Sequence, residues 1–151
     1  MIIQLKKNAD VYDLMKQMWD WLPYHIEQAS LIAELFDKGS CIDTAQDVFN
    51  YLQELNYKAD DFKQIIQTPY RLNKTLSGDC KSYSIFAASI MAAIGYEVRF
   101  VYTCNNPNGM WHVYPQVKCN NEIITIDGTI DQFNYDTPAT IIIPTGWMQL
   151  Q

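Results

Sequence analysis

Residues 77–95 read SGDCKSYSIFAASIMAAIG. Asp79 has the side chain of a helix N-cap, and Gly95 suits the position just past a helix end. The apolar run between them predicts a helix over Cys80–Ile94, the most buried of the chain. It places one cysteine at the entrance of that helix, where its neighbours are polar. A thiol attacks only as the thiolate, and an ordinary cysteine has a pKa of about 8.5. A helix N-terminus, with roughly half a positive charge, favours the thiolate. Asp79 opposes that field, so Cys80 needs a base nearby to act as a nucleophile.

Downstream the pattern changes to a period of two. YEVRFVYTC (96–104), MWHVYPQVKC (110–119) and EIITIDGT (122–129) alternate and are rich in Val, Ile and aromatics, as strands are. Asn120 and Asn121 tolerate positive φ and predict a tight hairpin turn. ATIII (139–143) predicts a further strand. Helices followed by antiparallel strands make the fold class α+β.

The hairpin fixes a geometry. If Cys119 faces Glu122, then Tyr114 faces Asp127 and His112 faces Thr129. All four project from one face, and His112 and Asp127 are diagonal neighbours. Pro115, inside the strand, predicts a bulge or an edge that could bring them directly opposite. An imidazole beside a carboxylate is the base and orienter that a thiol nucleophile requires. Each residue also fits a structural role: a core cysteine, a structural histidine, an Asx turn before Gly128. Asp131 and Asp136, in the loop after the strand, are alternatives to Asp127 whose positions the hairpin does not fix.

Upstream the chain is helical in pattern. Val11, Leu14, Met15, Met18, Trp19 and Leu22 form one apolar face. Pro23 is expected to break that helix or open the next. Ile26, Ala29, Ile32, Ala33 and Phe36 form a second stripe, closed by Gly39. Thr44 with Asp47 resembles a capping box ahead of Val48, Tyr51, Leu52 and Leu55. Residues 56–79 read as an irregular loop, of the length that wraps a cleft. The other histidine, His25, lies in the second stripe.

Of 151 residues, 48% are apolar and 19% charged, which fits one globular domain. The net charge of −6 argues against nucleic acid and anionic membrane as partners. The opening MIIQLKKNADVYDL reverses the order of a signal peptide, and no apolar run approaches a membrane span. A cytoplasmic location is therefore expected, with Cys41, Cys80, Cys104 and Cys119 as free thiols. Two histidines and four scattered cysteines supply no zinc spacing, and GDCKS lacks the spacing of a phosphate loop. No metal or cofactor is expected.

GDC at 78–80, HVYPQV from His112 and ITIDGT around Asp127, in that order, resemble the transglutaminase-like domain of the papain-like cysteine enzymes. The resemblance runs from about Thr44 to Thr129 and takes in IQTPYRL and AAIGYEVRFVY. It is similar to the compact versions found in bacteria and their phages. Gly128 stands where the family often has Pro, Gln116 where it often has an acid, and Pro115 is unusual in a paired strand.

The resemblance implies a papain-like core, with N-terminal helices and the Cys80 helix packed on an antiparallel sheet. It implies a single domain over 1–151: a helical part (1–43), a core with the motifs (44–129), and a strand and tail (130–151). Cys80 would be the nucleophile, His112 the general base and then acid, and Asp127 the group orienting the imidazole. The Cys80 backbone N–H would be one oxyanion donor, with Gln67, Tyr70 and Trp111 as chemical candidates for the second. The expected reaction is hydrolytic acyl transfer on an amide or peptide bond of a protein or peptide substrate. Transglutamination to an amine is one alternative, and a non-catalytic binding or assembly module on the same fold is the other.

Overall fold

A computed structural model describes residues 2–4, 10–59, 65–106 and 109–149. In chain order the elements are β1 (Ile2–Gln4), α1 (Val11–Ala33), α2 (Cys41–Gln53), β2 (Asn56–Tyr57), β3 (Ile65–Gln67), α3 (Pro69–Thr75), β4 (Ser77–Gly78), α4 (Cys80–Ile94), β5 (Val98–Cys104), β6 (His112–Cys119), β7 (Glu122–Thr125) and β8 (Ile141–Pro144). The architecture is the α+β arrangement expected. A four-stranded antiparallel sheet, in the order β7-β6-β5-β8, packs against α4.

Helix α4 begins and ends where its caps place it. The Asp79 carboxylate accepts from the N–H groups of Lys81 and Ser82, and Gly95 adopts φ +121°. Every residue from Cys80 to Ala92 is buried, as befits a helix covered on all sides. Helix α1 covers one side of it and β6 another. Small residues at 87–89 and 92 let these neighbours approach, and the Ser84 hydroxyl donates to the Val113 carbonyl at 3.1 Å.

Two N-terminal expectations are corrected. Helix α1 runs unbroken through Pro23. Pro23 lies on the exposed face, while Met18, Leu22, Ile26, Ala29 and Ala33 form one buried stripe. An internal proline costs about 3 kcal/mol, whereas burying each large apolar side chain contributes roughly 1.5–3 kcal/mol, so the continuous stripe prevails. Helix α2 is capped by Ser40, whose hydroxyl accepts from Asp43 N–H at 3.2 Å. Thr44 lies inside the first turn, fully buried, accepting from Lys38 N–H.

The segment read as irregular holds β2, β3, α3 and β4. Thr68 caps α3, and Pro69 takes the first helical position, a placement that suits proline. Strands β2 and β4 pair in parallel, Tyr57 opposite Gly78. Two-residue strands have no periodicity to detect.

The hairpin has the register expected, Cys119 opposite Glu122, with Asn120 at φ +58°. Pro115 produces no bulge, since the pairing of β6 with β5 runs evenly through it. Phe100, opposite Pro115, turns both its backbone groups toward Thr145. The Pro115 carbonyl accepts from Ile126 N–H at 3.0 Å, but proline has no N–H to return the bond. The β6–β7 ladder therefore ends at Thr125, and the chain is free to turn Asp127 toward His112. Strand β8 pairs with β5, and Met148 bridges Val98, so the tail finishes that edge of the sheet.

The free-thiol expectation is corrected for two cysteines. Cys41 and Cys119 form a disulfide, while Cys80 and Cys104 are free. Folding brings the first residue of α2 against the last residue of β6, a proximity that a sequence separation of 78 conceals.

Candidate active site

Cys80 occupies the first turn of α4, its neighbours fixed by Asp79. That carboxylate caps the helix and also pairs with the Lys81 ammonium, both side chains being buried. The negative charge that sequence reasoning set against a Cys80 thiolate is thus met by a neighbouring cation. Gly78 is held closely, since a Cβ there would lie 2.9 Å from Leu72 Cδ1.

His112 opens β6, and Asp127 lies just beyond β7. His112 Nε2 and Asp127 Oδ2 are 2.6 Å apart. The other carboxylate oxygen, Oδ1, accepts from the Thr129 N–H at 3.1 Å and from its hydroxyl at 2.7 Å. Asp127 is 2% exposed, so these bonds hold it rigidly. With Nε2 engaged, Nδ1 is the nitrogen left for the thiol. Burial by itself pushes the His112 pKa down. Its bonds with Asp127 and with the Cys80 side chain, and the charges of both, outweigh that and raise it to about 10. The imidazole is therefore protonated through the neutral range. The Tyr114 ring lies 6.0 Å from the His112 ring, so the expected same-face grouping of His112, Tyr114, Asp127 and Thr129 forms.

Gly128 follows Asp127 for a packing reason. A Cβ at this position would fall 2.7 Å from Leu52 Cβ and 3.2 Å from the Tyr83 ring. The backbone carrying Asp127 is pressed against α2 and α4, which leaves no room for a side chain.

The other candidates are placed elsewhere. Asp131 is exposed. Asp136 accepts from the Thr125 hydroxyl, which also accepts from Gln116 Nε2 at 3.0 Å. Gln67 has its amide engaged, Nε2 donating to Ser77 O at 2.7 Å and Oε1 accepting from Thr75. Tyr70 is 48% exposed on α3, with the Lys74 ammonium over its ring. Trp111 packs against the core. His25 is fully buried in α1, where burial lowers its pKa to about 4. Among the described residues no group of His, Cys, Asp and Glu is arranged to hold a metal ion, and no helix is long and apolar enough to cross a membrane.

One residue that sequence reasoning missed stands at Cys80. The Tyr57 hydroxyl is acted on by the Cys80 backbone N–H and by the side chains of Cys80, Asp79 and Asp127. Its ring meets Tyr83 edge-on at 5.8 Å. No spacing rule links residue 57 to residue 80; only the β2–β4 pairing does.

A shallow cavity of about 260 Å³ flanks the N-terminus of α4, lined by Lys58, Gln67, Ser77, Gly78 and Ser82.

No curated protein matches the sequence. Among solved structures, Legionella pneumophila LapG superposes with a TM-score of 0.58 at 13% identity, covering 97% of this chain and 87% of that one. Its calcium-bound form gives a TM-score of 0.60 at 13% identity, over 93% and 84%. A Cytophaga hutchinsonii protein described as a candidate cysteine protease gives 0.56 at 13% identity, over 85% and 48%. At these identities the likeness is one of fold. The family model of the transglutaminase-like superfamily matches residues 30–128, which span α2, α4, the hairpin and all three of Cys80, His112 and Asp127. The chain belongs to the transglutaminase-like superfamily.

Proposed function

We propose that this protein catalyses thiol-dependent acyl transfer on an amide or peptide bond, with Cys80 as nucleophile, His112 as base and then acid, and Asp127 as the orienting carboxylate. The observation that carries this reading is the 2.6 Å contact of His112 with Asp127, on an imidazole whose pKa the Cys80 side chain also raises. An imidazolium beside a sulfur at a helix N-terminus favours the thiolate over the thiol. The thiolate attacks the carbonyl carbon, and the C=O π pair moves to oxygen. On collapse the C–N bond breaks, His112 gives its proton to the departing amine, and a thioester remains. Neutral His112 then takes a proton from water as its oxygen adds to the thioester carbonyl; the C–S bond breaks, the acid is released, and the thiolate and imidazolium are restored.

Hydrolysis is the favoured outcome because the His112 side chain is 30% exposed, so water reaches the base. The substrate class proposed is protein or peptide; the Cys41–Cys119 disulfide weighs against the cytoplasmic location expected from the sequence, since such bonds persist in oxidising surroundings.

The test is the pH dependence of Cys80 alkylation by iodoacetamide. An ordinary thiol slows roughly a hundredfold from pH 8.5 to pH 6. The reading expects a nearly flat profile, lost in His112→Ala. A profile that follows an ordinary thiol in both proteins overturns it and leaves the non-catalytic module. Where the profile is flat, peptide libraries with and without a primary amine then separate hydrolysis from transglutamination.

A further inference from the structure

We infer that Tyr57 is a further catalytic residue of this site, its phenol O–H being the second oxyanion donor beside the Cys80 backbone N–H. The inference rests on the acyl-transfer reading of Cys80.

Three placements converge on it. Parallel pairing of β2 with β4 sets Tyr57 opposite Gly78, two residues before Cys80, and Lys58 N–H donates to the Gly78 carbonyl at 2.8 Å. The Tyr57 ring packs edge-on against Tyr83, which lies on the face of α4 that Cys80 begins, one turn further in. The phenol oxygen is then close enough for the Cys80 backbone N–H to act on it, with the Cys80 thiol and the Asp127 carboxylate as electrostatic neighbours. Tyr57 is 52% exposed, so a substrate carbonyl can reach this corner from solvent. The amide of Gln67, another candidate for the role, is already occupied by Ser77 and Thr75.

The chemistry requires a neutral phenol. Burial, and then the negative groups at Cys80 and Asp79, push the Tyr57 pKa up to about 12 despite the Cys80 N–H. Tyr57 therefore keeps its proton at any working pH. In the free protein the Cys80 N–H acts on its oxygen. When the thiolate adds to a carbonyl, the new oxyanion takes that N–H, and the phenol turns its O–H to the same oxygen. No proton is transferred from Tyr57, and both bonds relax when the C=O re-forms.

Two reagents separate this role from a structural one. p-Nitrophenyl acetate acylates Cys80 through a tetrahedral oxyanion. Iodoacetamide alkylates it at a saturated carbon and forms none. In Tyr57→Phe, acylation measured by nitrophenol release is expected to fall about a hundredfold, as for loss of one oxyanion donor, while alkylation at the same pH stays within about twofold. Mass spectrometry of the Cys80 peptide confirms the site of both reactions. Equal acylation in the two proteins overturns the role of Tyr57 and leaves the triad standing. A parallel loss of both reactions also overturns it, since Tyr57 would then act through the fold of the site. If native Cys80 alkylates no faster than it does in His112→Ala, the acyl-transfer reading fails and takes the role of Tyr57 with it.

Discussion

Loss of the Cys41–Cys119 disulfide has a magnitude that follows from where the two sulfurs sit. The bond joins the start of α2 to the end of β6 across a separation of 78 residues. Closing a loop of that length in the unfolded chain removes entropy worth about 4.5 kcal/mol at 25 °C. Both cysteines are buried, so the folded state adds packing to that figure. With a urea slope of about 2 kcal/mol per molar for a domain of this size, the midpoint should fall by about 2 M in the double variant Cys41→Ala/Cys119→Ala. Equilibrium urea unfolding followed by tryptophan fluorescence measures the shift. Thiol titration of the denatured, unreduced protein should find only Cys80 and Cys104 reactive. Four reactive thiols together with an unchanged midpoint would refute the reasoning. The same titration on freshly lysed cells tests the compartment. Disulfides persist in oxidising surroundings, whereas the cytoplasmic reading of the sequence requires reduced thiols.

Asp127→Asn keeps the hydrogen-bonding shape but removes the charge that raises His112, so the flat alkylation profile of Cys80 should steepen toward that of an ordinary thiol. An unchanged profile would remove Asp127 from the site. Because the folded pKa of His112, about 10, lies above the unfolded value of 6.5, its stabilising contribution is complete below pH 6.5 and is lost as pH rises through 10; urea midpoints across that window should decline, and less so in Asp127→Asn. His25 works in the opposite sense. Its pKa is lowered by burial to about 4, so stability is intact above pH 6.5 and drops by about 3 kcal/mol as pH falls to 4, a drop that His25→Leu should flatten. Gly128→Ala pushes a methyl into Leu52 and should cost about 1–3 kcal/mol in urea unfolding, with a matching loss of Cys80 reactivity as Asp127 is displaced.

Much of the site is written locally. Asp79, the apolar run and Gly95 bound α4 because caps and periodicity act within a few residues. Asn120 and Asn121 set the hairpin, and a period of two puts His112 and Asp127 on one face; leaving the β7 ladder at Thr125 then turns Asp127 to His112. The order of the three motifs carried the resemblance to the superfamily that the family model matches. A proline in a strand could be read as a disturbance, but the use made of it could not. Whether Pro115 bulges the sheet or simply ends the β7 ladder depends on which neighbour its nitrogen faces, and that is set by the pairing with Phe100.

What the sequence determined by itself, then, is what nearest neighbours along the chain decide: the start and end of α4, the hairpin register, and the face that His112 and Asp127 share. Tertiary structure decided the contacts between distant segments. Pro23 remains inside α1 because the continuous stripe of α1 buried against α4 outweighs one missing backbone bond. Cys41 meets Cys119, and Tyr57 meets Cys80, because separate elements pack there. Local pattern carries no information about such meetings, since their free energy comes from surfaces that exist only once the chain has folded.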